Sequence, residues 1–326
     1  MSTRRDFIAS ASAALLAQQS WAQAQAWPSK PIQMIIPWPA GGNGDALGRA
    51  LQSQLSAVLK QPVIVQNQPG VGSSLALSKL ARQEESDGHS LAQVTAAATI
   101  NMTLQKNPGY DLVKEYTPVA VAGSLPLILV VSPSLPVKNV QELIAYAKAN
   151  PGKLNYATAG VGTGGHLAAE AFKLLAGLDI MPIHYKGAAP AKVDVVSGDA
   201  HMFFDGIPSA MPLVQGNRLR LLGVATKTRF EGIPDVPTIA EAGLPGMDAA
   251  VWFGFSVPRR TSSEVANRYN KELNAILGTK ESKEMLVKIG FQPMQQLTIP
   301  QLEAFTREDI DRWAKVIKAG NIPTES

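Results

Sequence analysis

Two apolar stretches, "LPLILVVSP" (residues 125–133) and "AVWFGFSVP" (residues 250–258), decide the architecture of this chain. Each is a run long enough for a strand buried on both faces, and each stops at a proline. Between them lies a block with its own order of strand, glycine loop and helix. "LNYATA" (154–159) reads as a strand, and "GVGTGGHLAAEAFKLLAG" (160–177) as a glycine loop opening a helix that Gly177 ends. "IMPIHYK" (180–186), a short helix at 188–197, "AHMFFD" (200–205) and "LRLLGVAT" (219–226) continue the alternation. The block before 125 and the tail after 258 each lack a full set of covering elements. The chain is therefore expected to leave one lobe along the first stretch, build a second, and return along the other. The expected division is 27–124 plus 252–326 for one lobe and 125–251 for the other, with a cleft between them.

Before residue 125 the same α/β alternation holds. "IQMIIPW" (32–38) is a strand, and the helix after it places Leu47, Ala50, Leu51, Leu55, Val58 and Leu59 on one face. "VIVQN" (63–67) and "HSLAQV" (89–94) are further strands. After 258, two helices are expected, near 262–277 and 300–318. A length of 326 residues leaves room for two domains.

Composition removes several classes of function. There are 0 cysteines, which excludes disulfides, thiolate metal ligands and a cysteine nucleophile. The net charge of +4 comes from scattered basic residues rather than a patch, which argues against nucleic acid as a partner. Residues 1–26 read as an export signal: Arg4 and Arg5, the short apolar run Phe7 to Ala17, then small residues before Trp27. "TRRDFI" also resembles a twin-arginine signal; an ordinary secretory signal that carries two arginines is the other reading. The mature chain is expected in the periplasm.

Loops at strand carboxyl ends are where an α/β fold places its ligand. Five qualify: "PAGGNGD" (39–45), "NQPGVGSS" (67–74), "TAAAT" (95–99), "AGVGTGGH" (159–166), and the pair "YKG" (185–187) and "FFD" (203–205). The first and fourth each lead into a helix start, where unpaired N–H groups and the helix dipole favour an anion. Neither is a nucleotide motif, because GxGxxG spacing and a Walker lysine are both missing. Asp45 reads as a helix cap. Asp205 reads either as an acceptor for a ligand amine or hydroxyl or as a cap before Pro208. Trp38 is either a wall for the ligand's apolar part or a core residue. Lys186 reads as a solvated turn residue that is able to pair with a carboxylate.

The case for an enzyme is thin. Thr163 near His166 is a nucleophile–base suggestion with no third group to orient it, and GxSxG is absent. His184 and His201 are able to lie close together, but no HExxH or comparable metal-ligand spacing occurs. No catalytic residue, metal or cofactor is expected.

Ordered blocks along the chain carry a family likeness. They include "WPSKPIQMIIPWPAGGNGDALGR", "VIVQNQPGVGSS", "SDGHSLA", "NPGYDLVKEYTPV", "PGKLNYATAGVGTGGHLAAEAFKLLAG", "HYKGAAPA", "MFFDGIPSAMPLVQGNRLRLLGV" and "WFGFSVP". With these the chain resembles the substrate-binding proteins of tripartite tricarboxylate transporters, also called TctC or Bug-type receptors. The likeness runs from about Trp27 to the C-terminal helices and departs from the usual pattern at "PGVGSS" and His89. It implies a type II periplasmic binding fold, two α/β lobes on two hinge strands, and no catalysis. It implies a small carboxylate held mainly by backbone N–H groups and ordered water. Carried onto this sequence, the pocket draws on Ala40, Gly41, Gly42 and Asn43, then on Thr158, Gly162, Thr163, Gly164 and Gly165, with Asp205 at its edge. Selectivity is expected to rest on side chains such as Asn43, Ser73, Thr99 and Asp205. The expected partners are a small organic carboxylate and membrane transporter subunits, with the receptor itself a monomer. A ligand sensor feeding a signalling partner is the alternative of a different class, and a hydrolase built on Thr163 and His166 is the third.

Overall fold

Strand and helix alternate from Ile32 onward in the computed structural model, which describes residues 27–83 and 86–319. The expected export signal at 1–26 lies outside the described residues. β1 (Ile32–Ile36) leads to α1 (Asn43–Leu59), whose Leu47, Leu51, Leu55 and Leu59 are buried at helical spacing. β2 (Val63–Asn67), a short 3-10 turn (Val71–Ser73) and α2 (Ser74–Ala81) follow. β3 (Ser90–Thr95) passes without a loop into α3 (Ala96–Leu104), and α4 (Leu112–Glu115) is a single turn. β4 (Tyr116–Val131) is the longest strand. Next come α5 (Val140–Ala149), β5 (Asn155–Thr158), α6 (Gly164–Ala176) and β6 (Met181–His184). α7 (Ala188–Ser197), β7 (Met202–Gly206), α8 (Ile207–Gln215) and β8 (Arg220–Val224) complete the middle block. β9 (Ala250–Pro258), α9 (Ser263–Gly278), α10 (Lys280–Lys288), β10 (Gln292–Pro293) and α11 (Ile299–Ala319) end the chain.

The strands run β2-β1-β3-β9-β4-β7-β5-β6, with β8 and β10 also on β4. β1 pairs in parallel with β2 on one side and β3 on the other, and β5 likewise with β6 and β7. The two parallel sets are joined by the antiparallel pair β4 and β9, in register from Tyr116–Pro258 to Pro126–Ala250. Past Pro126, β4 leaves β9 and pairs with β7 and β8 through Leu127 to Val131. One strand thus belongs to both lobes. Its Leu127, Leu129 and Val131 pack into one apolar cluster while Ile128 and Val130 pack into another. Alternate side chains enter opposite faces, so a strand covered on both faces reads as an unbroken apolar run.

Two details differ from the sequence expectation. β4 starts at Tyr116 rather than Leu125, because Pro118 and Gly123 hide a strand whose register slips at both places. Bulges accommodate a proline that has no N–H to give. The tail also holds α10 and β10, which were not expected. α10 buries only Ser282 and Leu286, too little for an apolar face to show in the sequence.

α11 is fastened to the hinge region by one buried carboxylate. Asp309 accepts from Trp252 Nε1 of β9 at 2.8 Å and from the Thr99 hydroxyl of α3. Arg312 pairs with its other oxygen.

The crossing of β4 and β9 leaves no room at Gly254, where a Cβ would lie 2.4 Å from the Ala120 carbonyl oxygen. Gly254→Ala is expected to lower the unfolding free energy by about 1–3 kcal/mol, the usual range for overpacking. Urea denaturation of the two proteins measures the difference.

Candidate ligand-binding site

A cavity of about 70 Å³ lies between the lobes. That is room for roughly five waters, or for a small organic molecule, at 10–15 Å³ of such space per water. Its walls are helix starts. Asn43 and Gly44 open α1, Thr95 and Ala97 begin α3, Thr163 to Gly165 begin α6, and Ala188 begins α7. Leu125, Leu127, Val251 and Phe253 of the crossing strands form the floor, and Phe203 and Phe204 of β7 a side. Each helix start carries about half a positive charge, so four together oppose roughly two negative charges. Among the described residues no Lys, Arg or His lines the cavity, and Asp205 is the one ionisable lining residue.

Hydrogen bonds within the loops decide which N–H groups remain available. Gly41 N–H donates to Asp45 Oδ2 at 3.0 Å, and Gly42 N–H to the Pro39 carbonyl at 3.2 Å. Gly162 N–H donates to His166 Nδ1, and Thr163 N–H to the Gly160 carbonyl, both at 3.3 Å. The amides that remain are those of the first helical turns, at Asn43 and Gly44 and at Gly164 and Gly165, which have no intrahelical partner. Asp45 also pairs with Arg49 and accepts from Asn67 Nδ2, so it clamps the first loop from behind. Those bonds hold its carboxyl below the usual range in spite of burial, which acts to raise it.

Trp38, Gly42, Asn43, Thr163, Gly164, Gly165 and Asp205 are brought together around the cavity. Ala40 and Gly41 are exposed on the loop outside the lining. Thr158 is buried behind it, bonded to His184 Nδ1 at 2.8 Å and to Gly160 N–H at 3.1 Å. Gly162 is turned toward Asn101 of the other lobe. Ser73 is buried in the left-handed turn before α2, at φ 85°, and is not in the lining. Thr99 faces away, its hydroxyl on Asp309 and the Ala96 carbonyl. Two residues along a helix rotate the side chain by about 200°, so Thr99 points opposite to Ala97, which lines the cavity. Lys186 is exposed and outside the lining. His184 and His201 do not meet: β5 separates their strands, and they sit at opposite ends of them. His184 instead meets His166 edge-on, with ring centroids 4.9 Å apart. The apolar floor and Gly44 escaped the sequence reading. The floor residues sit on strands that looked structural, and only the alternation along "AVWFGFSVP" hinted that Val251 and Phe253 share a face.

The lobes touch across the cleft. Asn43 Nδ2 donates to Asp205 Oδ1 at 2.8 Å, and Ser209 N–H donates to Asn43 Oδ1 at 3.1 Å. Elsewhere the approach is set by missing side chains. A Cβ on Gly162 would fall 1.9 Å from Asn101 Oδ1, and one on Gly187 would fall 2.5 Å from the Pro39 ring. Thr163 is not poised as a nucleophile. Its hydroxyl donates to the Gly160 carbonyl at 2.8 Å and accepts the His166 N–H as a helix cap. Among the described residues no group of three or more His, Asp or Glu could hold a metal ion, and no helix is long and apolar enough to cross a membrane.

Two α/β lobes on crossing strands, closed over a small cavity of helix starts, define a solute-binding protein of the periplasmic type. Comparison with known proteins identifies the family. Residues 47–322 match the model of the tripartite tricarboxylate transporter family receptor, and the chain belongs to that family. It is 33% identical to BugT of Bordetella pertussis over 297 residues, 90% of each chain. Among solved structures, an R. palustris protein with adipate is similar at a TM-score of 0.88 and 33% identity, over 91% of this chain and 99% of that one. MatC from Rhodopseudomonas palustris with bound malate is similar at 0.82 and 26% identity, over 89% and 100%.

Burial beside His184 depresses His166 from 6.5 to about 4. The unfolded chain takes up this proton first as pH falls, so the folded state loses stability between about pH 6.5 and pH 4. The stability of the wild type relative to His166→Gln is expected to drop by about 3 kcal/mol across that window, read by denaturation at both ends. Gly187→Ala is expected to lower stability by about 1–3 kcal/mol, because φ is 122° there, and to weaken binding of an enclosed acid about tenfold, because its methyl holds Pro39 off. Calorimetric titration measures that loss.

Proposed function

We propose that this protein is a periplasmic receptor that encloses a small organic carboxylate and delivers it, unchanged, to the membrane subunits of a tripartite tricarboxylate-type transporter. The observation that carries the reading is a cavity without a basic side chain whose walls are helix starts from both lobes. Such walls suit an anion that must be released again, since amide dipoles hold charge without a strong ion pair. Adipate and malate, bound by two similar proteins of known structure, are acids of this class. The anchors are the amides of Asn43, Gly44, Gly164 and Gly165, with Asn43 and Asp205 as the polar side chains. Ala40, Gly41, Gly42, Thr158 and Gly162 shape the loops, and Ser73 and Thr99 act at a remove.

The lobes are 27–124 with 252–326 and 125–251, and they close by bending where β4 and β9 cross. The receptor acts as a monomer, because each copy holds its whole site. Binding proceeds without turnover: Thr163 and His166 are both spent on capping the loop. Residues 1–26 direct export and are removed.

Thermal shift against small carboxylates and their matched amides tests the reading. An acid at about 100 times its Kd stabilises the fold by roughly 2.7 kcal/mol, visible as a raised Tm. A shift with an acid that vanishes with its amide, and recovery of the acid intact, is the expected result. Hydrolysis of the amide, or no acid bound and none released on denaturation, would overturn it.

A further inference from the structure

Asp205 is an odd residue to find in an anion site. It is 3% exposed, at the end of β7. Its Oδ1 is satisfied by Asn43 Nδ2 and by Gly206 N–H, both at 2.8 Å. Its Oδ2 is buried without a protein hydrogen-bond partner, as is the hydroxyl of Ser209, which interacts with this carboxyl from α8, and Asp205 lines the cavity. A buried polar atom left in this state costs free energy until something pairs with it. Two carboxylates confined in one small site cannot both stay ionised at low cost.

The charged groups on the surrounding elements do not remove this conflict. Lys192 of α7 interacts electrostatically with Asp205, but its ammonium donates to the Ser209 carbonyl at 2.6 Å and lies outside the cavity lining. Asp45 and Arg49 of α1 are paired with each other. His166 of α6 has its Nδ1 on Gly162 N–H and stays neutral near pH 7. From β4, the residue opposite Asp205 is Ile128; Gly206 N–H at the end of β7 and Ser209 of α8 also meet the carboxyl.

We propose that a carboxylate is enclosed here together with one proton, which Asp205 takes up on closure and donates from Oδ2 to the ligand's carboxylate. The orphaned oxygen then gains a partner, the repulsion between two carboxylates becomes a charge-assisted hydrogen bond, and the helix starts face one net anion fewer. Burial acts in the same direction, pushing the Asp205 carboxyl up against the opposing pull of Lys192, Ser209, Asn43 and Gly206. In the open form the carboxyl regains water and returns toward its ordinary value, so opening releases the proton with the ligand. Asp205 is thereby a specificity-determining residue: it favours a ligand that presents a carboxylate oxygen at this corner. The inference rests on the reading of the cavity as a carboxylate site.

Calorimetric titration of the full protein, stripped of any co-purified acid, tests it with malate and adipate as probes. Titrations from about pH 6 to about pH 8, in two buffers of different ionisation enthalpy, count the protons exchanged on binding. The expected result is uptake of about one proton per ligand and a Kd that rises about tenfold per pH unit. Asp205→Asn, whose amide donates where the acid would, is expected to bind with no proton uptake and a flat pH profile. If that variant does not fold, the proton count of the wild type still decides. Binding by the wild type with no proton uptake and a flat profile overturns the proposal alone. With malate then preferred to succinate, Asp205 is an ionised acceptor for the ligand hydroxyl. No binding of any small carboxylate overturns the carboxylate reading, and this inference with it.

Discussion

The antiparallel pairing of β4 with β9 is the constraint on which everything else hangs. It joins two parallel sheets that would otherwise be separate folds, and it supplies the cavity floor with Leu125, Leu127, Val251 and Phe253. Both strands are hydrogen-bonded to each other and to a sheet beyond, so the pair resists sliding of one lobe past the other and is the place where the proposed closure would bend. The close backbone approach at Gly254 and the slips in register beside it give that pair its local twist. Asp309 extends the constraint to the last helix, since one carboxylate holds α11, the indole of Trp252 and the start of α3 in fixed relation. A wall of the site and its floor are therefore braced from outside the cavity.

Above that floor the cavity walls are helix starts, whose main-chain amides are the polar groups that the proposed ligand would meet. Side chains such as Asp45, Thr95 and Thr163 consume the N–H groups that would compete or fray, and so select which amides face inward. The glycine loops do less of the direct work than their composition suggests. Gly41, Gly42 and Gly162 spend their N–H groups on the loop itself, and it is the first turn of each helix behind them that meets the cavity.

Much of the fold was legible because the strands of a two-sided sheet announce themselves. "LPLILVVSP" and "AVWFGFSVP" could be nothing but buried strands, and their separation by a complete α/β block implied the return crossing. The hidden part of β4 was not legible, since Pro118, Gly123 and small residues mask a strand that tolerates them only through bulges. The site was partly legible. Loops at strand ends pointed to Gly42, Gly164, Gly165 and Asp205, and the family resemblance added Asn43 and Thr163; all of these line the cavity. Thr99 shows the limit: the loop was well chosen, but helical phase turns that side chain to Asp309. His184 and His201 show another, because strand order decides which histidines meet and no local pattern encodes it.

The seam between the closed lobes has an energetic meaning. Pro39 meets Gly187, Asn101 meets Gly162, and Asn43 meets Gly206 and Ser209. Apart from the Pro39 ring, these are contacts of backbone and amide groups, which trade water for protein partners with little net gain. Polar and backbone atoms make most of these contacts, so the seam itself gains little from the hydrophobic effect. A seam of this kind does not by itself hold the lobes shut, and a ligand is left to supply the difference. A ligand shifts such a hinge only by its differential affinity for the closed state.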